Sequence, residues 1–202
     1  MIKNVIFDLG NVLLDFKPKR YLNRIIDDRN ERKKLLKNIF QTEEWLELDR
    51  GTITKEQAIQ KMINRCPSQE KKIKNIMDNW AAEMLTKKEK TVEILNKIAS
   101  QNNHNLYILS NFHEKAYQFV YRKYPFFDLF DGIVISSDIK SIKPEKEIYE
   151  FLLNTYNLKP EASVFIDDTE KNINGAQKLA LNTIHYQSFE EFKKELKGYN
   201  II

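Results

Sequence analysis

The feature that most constrains this chain is a set of short, unbroken apolar runs that stop on polar groups. Val5-Ile6-Phe7 ends on Asp8, Leu106-Tyr107-Ile108-Leu109 ends on Ser110-Asn111, and Val164-Phe165-Ile166 ends on Asp167-Asp168. Gly132-Ile133-Val134-Ile135-Ser136-Ser137 is a further run, and Asn182-Thr183-Ile184-His185 a weaker one. Continuous rather than alternating apolar residues are what a strand buried on both faces requires. Between the runs, Thr91–Ser100, Glu145–Tyr156 and Glu170–Leu181 space their apolar residues near the helical period. Strand and helix in alternation predict an α/β fold, a doubly wound and mostly parallel sheet. In open sheets of this kind ligands bind outside the carboxyl ends of the strands. Asp8, Ser110, Asp167 and Asp168 all fall there.

The segment 17–86 has a different character. It contains no strand run, is rich in charge, and reads as helical over 19–29, 31–40, 43–49, 54–65 and 69–84. Pro18 and Pro67 stand near helix starts, where proline is tolerated. Thr54 followed by Gln57 has the spacing of a capping box. At roughly 150 residues per domain, the 202 residues suit one core domain carrying an insertion. The expected division is an α/β core from 1–16 and 87–202, with a helical insert at 17–86.

Composition excludes several classes. The 33 Lys and Arg stand against 29 Asp and Glu, a net charge of +4, but the two signs are interspersed. A nucleic-acid binder would concentrate its cations in a stripe, so a solvated lysine-rich surface is expected and no nucleic acid as a partner. The single cysteine, Cys66, rules out an intrachain disulfide and a thiolate zinc cluster, and suits a reducing compartment. No segment reaches the 18 or so apolar residues needed to span a bilayer. Asp8 and Asp15 interrupt the apolar N-terminus, which has no small-residue cleavage site. A cytoplasmic protein without membrane partners is expected, as a monomer or weak homodimer.

Taken singly, each polar cluster has two readings. Asp8 is a loop aspartate accepting turn hydrogen bonds, or a nucleophile or metal ligand. Gly10 would let the backbone approach a ligand and turn its carbonyl toward a cation. Ser110-Asn111 is a helix cap, or a set of donors for an anion. Lys143, before Pro144, is a surface lysine at a helix start, or a cation that neutralises a phosphate and a carboxylate together. Asp167-Asp168 is costly to bury unless a metal ion or a lysine relieves the repulsion.

Taken together, the order Asp8, Ser110-Asn111, Lys143-Pro144, Asp167-Asp168 resembles the haloacid dehalogenase-like hydrolase superfamily over essentially the whole chain. The segments that carry the resemblance are Val5-Ile6-Phe7-Asp8-Leu9-Gly10-Asn11-Val12-Leu13, Ile108-Leu109-Ser110-Asn111, Ile142-Lys143-Pro144 and Phe165-Ile166-Asp167-Asp168. The glycine-asparagine form of the first motif is similar to the subgroup of bacterial sugar-phosphate phosphatases that includes glucose-1-phosphatase-like enzymes. A helical insert after the first strand is similar to that superfamily's first-position cap.

The resemblance implies a magnesium-dependent phosphatase acting on a small phosphorylated metabolite, with a sugar phosphate as a candidate, through an aspartyl-phosphate. It implies Asp8 as nucleophile and metal ligand, and the Gly10 carbonyl as a second ligand. Ser110 and the backbone of Asn111 would hold the phosphate. Lys143 would bridge Asp8 and the phosphate, and Asp168 would ligate Mg²⁺ with Asp167 behind it. The chemistry is coherent: magnesium prefers hard oxygen ligands, and carboxylate attack on a phosphate needs its charge repulsion cancelled.

One position departs from the superfamily's pattern. An aspartate usually stands two residues after the nucleophile, protonating the leaving group and then activating water; here that position is Gly10. Such help is worth roughly 10²–10⁴-fold. Asp15 or a cap residue could substitute, the leaving group could be a good one, or the protein could bind phosphate without rapid turnover. In the cap, Arg50, Trp45 and Arg20 are candidates to contact the leaving group; against this, Arg50 reads as a cation at a helix end and Trp45 as cap core. His104, His113 and His185 show no metal-ligand spacing, and His113 reads as a surface residue or one lining the mouth of the site. The aromatic stretch Phe119–Phe130 reads as packing on the sheet edge. The competing functions are a metal-independent haloacid dehalogenase, a phosphosugar mutase and a non-catalytic phosphometabolite-binding protein. A phosphorelay receiver domain has the acidic pair early in the chain, the reverse of this order.

Overall fold

The computed structural model describes residues 1–202. Five strands, β1 (Asn4–Phe7), β2 (Asn105–Ser110), β3 (Gly132–Ile135), β4 (Ser163–Asp167) and β5 (Asn182–His185), form one sheet in the order β3-β2-β1-β4-β5. Every pairing is parallel, with Phe7 opposite Ile108 on one side and Ile166 on the other. The chain therefore builds outward from β1 in one direction and returns to build outward in the other. The reversal puts the carboxyl ends of β2, β1 and β4 side by side, the place where open α/β sheets bind ligands.

The unbroken apolar runs follow from two cores, one on each face. Val5 and Phe7 of β1 point into the larger, with Leu106, Ile108, Val164 and Ile166; Ile6 points into the smaller, with Tyr107, Leu109, Val134 and Phe165. A strand carries alternate side chains to opposite faces, so both sets must be apolar when both faces are covered.

Between β1 and β2 lie α1 (Pro18–Ile25), α2 (Arg29–Leu35), α3 (Glu43–Arg50), α4 (Lys55–Arg65), α5 (Glu70–Met84) and α6 (Glu89–Gln101). The first five fall within 17–86, the segment expected to form a helical insert, and α6 returns the chain to the sheet. Two expectations on the insert need correction. The helix expected over 19–29 ends at Ile25, because Asp28 caps a new helix by accepting from the Glu31 N–H. The helix expected over 31–40 passes at Leu36–Phe40 into a π-helical turn. Pro67 opens a single 3₁₀ turn ahead of α5. The Thr54–Gln57 capping box is present with both of its hydrogen bonds.

After β2 come α7 (Glu114–Lys123), α8 (Ser136–Ile139), α9 (Lys146–Thr155), α10 (Glu170–Gln177) and α11 (Phe189–Gly198). Helices α9 and α10 supply Ile148, Tyr149, Leu152, Ile173 and Ala176 to the smaller core. Helices α6, α7 and α11 supply Leu95, Val120 and Phe192 to the larger, which runs on without a break into Trp45, Met62 and Trp80 of the insert. Pro144 does not start a helix: α9 begins at Lys146, with Glu145 at its cap. Helix α10 stops at Gln177, short of the expected Leu181. Of the aromatic stretch, Tyr124, Phe126 and Phe127 are buried and the Phe130 ring meets Phe7 edge-on, while Phe119 and Tyr121 are exposed. No helix is long and apolar enough to cross a membrane.

Candidate active site

Asp8 follows the last residue of β1 and remains in the ladder, its N–H donating to the Ile166 carbonyl at 2.9 Å. Its Oδ1 accepts from Ser110 Oγ at 2.7 Å and from Lys143 Nζ at 2.8 Å. The Lys143 ammonium also donates to Asp167 Oδ2 at 2.6 Å and to the Leu109 carbonyl at 2.9 Å. This lysine is 2% exposed, not the surface lysine that its sequence context also allowed. Three charge-assisted hydrogen bonds are what make a buried ammonium tolerable. Burial works against its charge, but Asp167 and Asp8 outweigh burial and hold Lys143 above the ordinary lysine value.

The carboxylates are not all equivalent. Asp167 is wholly buried and fully engaged: Oδ1 accepts from Thr169 N at 2.8 Å, Asn172 Nδ2 bridges both oxygens at 3.1 Å, and Lys143 takes Oδ2. Asp168 accepts from Asn11 Nδ2 at 2.9 Å and from Thr169 Oγ1 at 3.2 Å. Burial raises Asp8 to about 7 against the pull of Lys143, and Asp167 adds to the rise. Burial likewise raises Asp168, opposed by the Asn11 bond. One oxygen from each of Asp8, Asp167 and Asp168 lies within 4.8 Å of the others. A single lysine facing three carboxylates leaves excess negative charge in a desolvated place, and hard oxygen donors in that number suit a small divalent cation.

Asn111 is engaged through its side chain. Oδ1 accepts from Lys143 N at 2.8 Å and Nδ2 donates to the Lys143 carbonyl at 3.1 Å, so the β2 terminus grips the loop that delivers the lysine. Asn11 does comparable work from the β1 loop: at φ 53° it accepts from Phe16 N at 3.0 Å while holding Asp168. Only its place in a Gly-Asn turn signal pointed to it.

Around Gly10 a cavity of about 70 Å³ is lined by Phe16, Trp45, Asp49, Trp80, Leu85, Asn111, Phe112 and His113. A Cβ built on Gly10 would meet only Asp8 Oδ2, at 3.7 Å. The site of the absent aspartate side chain is therefore open. Trp45 lines this cavity and is also buried against Phe40, Trp80 and His113. Arg50 does not line it. Its guanidinium forms a bidentate pair with Glu145, both bonds 2.6 Å, fastening α3 to the loop before α9. Arg20 and Asp15 share a separate crevice with Arg24 and Glu83, and Asp15 Oδ1 stands 2.7 Å from Lys17 Nζ. His113 is buried, 8% exposed, and the surface reading is corrected. Asp49, one residue before Arg50, lines the cavity, with its Oδ1 3.1 Å from His113 Nε2. A groove of about 520 Å³ runs between α4, α5 and the start of α7, and shares Trp80 and His113 with the lining of the small cavity.

A D-ribitol-5-phosphate phosphatase of Bacteroides thetaiotaomicron is 22% identical over 206 residues, covering 97% of each chain. A drimenol cyclase of Aspergillus calidoustus is 24% identical over 200 residues, and the match covers 97% of this chain but only 36% of the cyclase. The crystal structure of a haloacid dehalogenase family enzyme from Bacteroides thetaiotaomicron, in complex with magnesium and inorganic phosphate, superposes with a TM-score of 0.72 at 23% identity, covering 95% of this chain and 99% of that one. The family model for haloacid dehalogenase-like hydrolases matches residues 2–179. With its parallel sheet, the lysine-bridged carboxylates at the strand ends and this match over most of its length, the chain belongs to the haloacid dehalogenase-like hydrolases.

Proposed function

We propose that this protein is a magnesium-dependent phosphatase that hydrolyses a small phosphorylated metabolite, with sugar and polyol phosphates the leading class. The observation that carries the reading is the Lys143 ammonium set between Asp8 and Asp167, with Asp168 beside them, at the carboxyl ends of adjacent strands. Mg²⁺ would be held by Asp8, the Gly10 carbonyl and Asp168, with Asp167 positioned behind by Lys143 and Asn172. When bound it would supply positive charge against the phosphoryl oxygens.

The chain's own groups account for the rest. Both hydrogen bonds to Asp8 fall on Oδ1, so Oδ2 is the oxygen suited to attack phosphorus. Ser110 Oγ and the Asn111 backbone N–H would hold the phosphoryl oxygens, and Lys143 would neutralise charge shared between phosphate and carboxylate. The aspartyl-phosphate on Asp8 then hydrolyses, a two-step covalent route. Segment 17–86 serves as the cap, and its Trp45 and Trp80 join Phe16 of the core in lining the cavity at Gly10. The relatives support the substrate class: one is named for a polyol phosphate, and a neighbour holds magnesium and phosphate. A dehalogenase would attack carbon without a metal and would leave the excess carboxylate charge uncompensated. The test is phosphate release from a panel of phosphorylated sugars, polyols and alcohols, with Mg²⁺ or with a chelator. Release only with Mg²⁺ is expected; halide release from a haloacid in the chelated sample, with no phosphate from the panel, would overturn the reading.

A further inference from the structure

We propose that His113, with the Asp49 carboxylate beside it, carries the leaving-group proton in place of the carboxylate that Gly10 lacks. The inference rests on the phosphatase reading above and assigns a residue to its unfilled role. Among the residues around the cavity beside Asp8 Oδ2, only Asp49 and His113 have titratable side chains; the others are Gly10, Asn111 and apolar groups. The two meet there from different parts of the fold, Asp49 from helix α3 of the insert and His113 from the loop after β2. His113 Nε2 lies 3.1 Å from Asp49 Oδ1, yet it forms no hydrogen bond, because the carboxylate is off the N–H direction. A buried imidazole nitrogen without a partner is costly. His113 lines the same cavity as Gly10, where a Cβ would stand 3.7 Å from Asp8 Oδ2, and a leaving oxygen in that cavity would complete the nitrogen.

The pairing is built in at the backbone. Ser136 Oγ donates to the Asp49 carbonyl and accepts from Phe112 N at 2.9 Å, so one hydroxyl ties together the backbones that bear the two residues. The ring of His113 packs against both Trp45, centroids 4.3 Å apart, and Trp80, at 5.2 Å, while the two indoles pack on each other at 5.0 Å. Asp49 is on the insert and His113 on the core, so the pair exists only while the insert is seated. The Arg50–Glu145 clasp, one residue along the chain from Asp49, holds it seated.

The step balances. As Asp8 attacks, the bond from phosphorus to the leaving oxygen breaks and its electron pair stays on that oxygen. The oxygen takes the proton from the His113 imidazolium and leaves as an alcohol. Water then attacks the phosphorus of the aspartyl-phosphate and gives its proton to neutral His113. The bond from phosphorus to Asp8 breaks, releasing inorganic phosphate and restoring both side chains.

General acid catalysis makes the rate insensitive to how poor the leaving group is. The test compares kcat/KM, which reports leaving-group departure and not the later hydrolysis of the aspartyl-phosphate, for p-nitrophenyl phosphate, whose leaving group needs no proton, and for alkyl phosphates, in wild type, H113Q and D49N. Beryllofluoride binding in the presence of Mg²⁺ checks that each variant keeps its phosphate site. Expected for H113Q is a loss of about 10²-fold or more on alkyl phosphates and of less than about tenfold on the aryl ester, with D49N between H113Q and wild type. The wild-type rate should also vary only weakly with leaving-group acidity, a readout that needs no variant. Equal losses on both esters, no loss on either, or a steep dependence in the wild type would overturn the assignment while leaving the phosphatase reading intact. Absence of phosphate release from every ester by the wild type would overturn both.

Discussion

Lys143 Nζ lies 2.8 Å from Asp8 Oδ1 across 135 residues of chain, and both side chains are buried. The contact exists because the sheet reverses its direction of growth at β1, setting the ends of β1, β2 and β4 together. A lysine delivered to that junction pairs with two carboxylates at once. It is the pivot of the site.

Replacing Lys143 by Met removes the only ammonium between Asp8 and Asp167 and leaves two buried carboxylates facing each other. Breaking a buried pair from one side costs about 3–5 kcal/mol. Urea unfolding should show a loss of that size, and D8N added to K143M should recover part of it, because one of the stranded charges is gone. A loss below about 1 kcal/mol would mean that water reaches the lysine.

Burial raises Asp8 to about 7, and the sign of the consequence can be worked out. Between its ordinary value of 3.8 and about 7 the folded protein keeps a proton there that the unfolded chain has lost. The metal-free protein therefore loses stability as pH rises through about 7. The same proton competes with Mg²⁺ for the carboxylate. Calorimetric titration should show magnesium affinity falling by up to about tenfold per pH unit below that point. Affinity independent of pH from about 5 to 8 would exclude Asp8 as a ligand.

Asp8→Asn keeps the acceptor for Lys143 and Ser110 while removing the nucleophile and its buried charge. Turnover should fall by at least about 10³-fold. Thermal melts of the metal-free protein at about pH 8 should show no loss of stability, and a modest gain.

The Arg50–Glu145 pair is about one-third exposed on each side, so Arg50→Ala should cost less than about 1 kcal/mol and shift the melting temperature by only a few degrees. Its effect on activity should be larger. Glu145 Oε2 also accepts from Ser141 Oγ and Ile142 N, each at 3.1 Å, beside the loop that delivers Lys143. A drop in kcat/KM of about tenfold with little change in melting temperature is expected from steady-state kinetics and a thermal melt.

Much of this was readable from the amino-acid order. The apolar runs announced their strands because both faces of the sheet are covered, and the polar residue closing each run marked the ligand-binding edge. Other features depend on distance in space. Asp49 and His113 belong to segments with no local signal for each other, and a histidine after a strand end looks like a surface residue until two tryptophans from the insert close over it. Arg50 reads as a cation at a helix end, and its partner Glu145 is 95 residues away. The break at Ile26–Asp28 had a local signal, Asp28 capping Glu31, but the apolar spacing around it ran on and masked it. Helix α11 likewise began at a visible cap, Ser188 accepting from Glu191 N.

The central claim is that phosphorus passes through Asp8. Acid-quenching the enzyme during turnover of a phosphate ester with Mg²⁺, followed by peptide mass spectrometry, tests this most directly. The account predicts a phosphoryl group on the peptide containing Asp8, and none in D8N. Steady phosphate release with that peptide unmodified, or with the phosphoryl group on another residue, would contradict it.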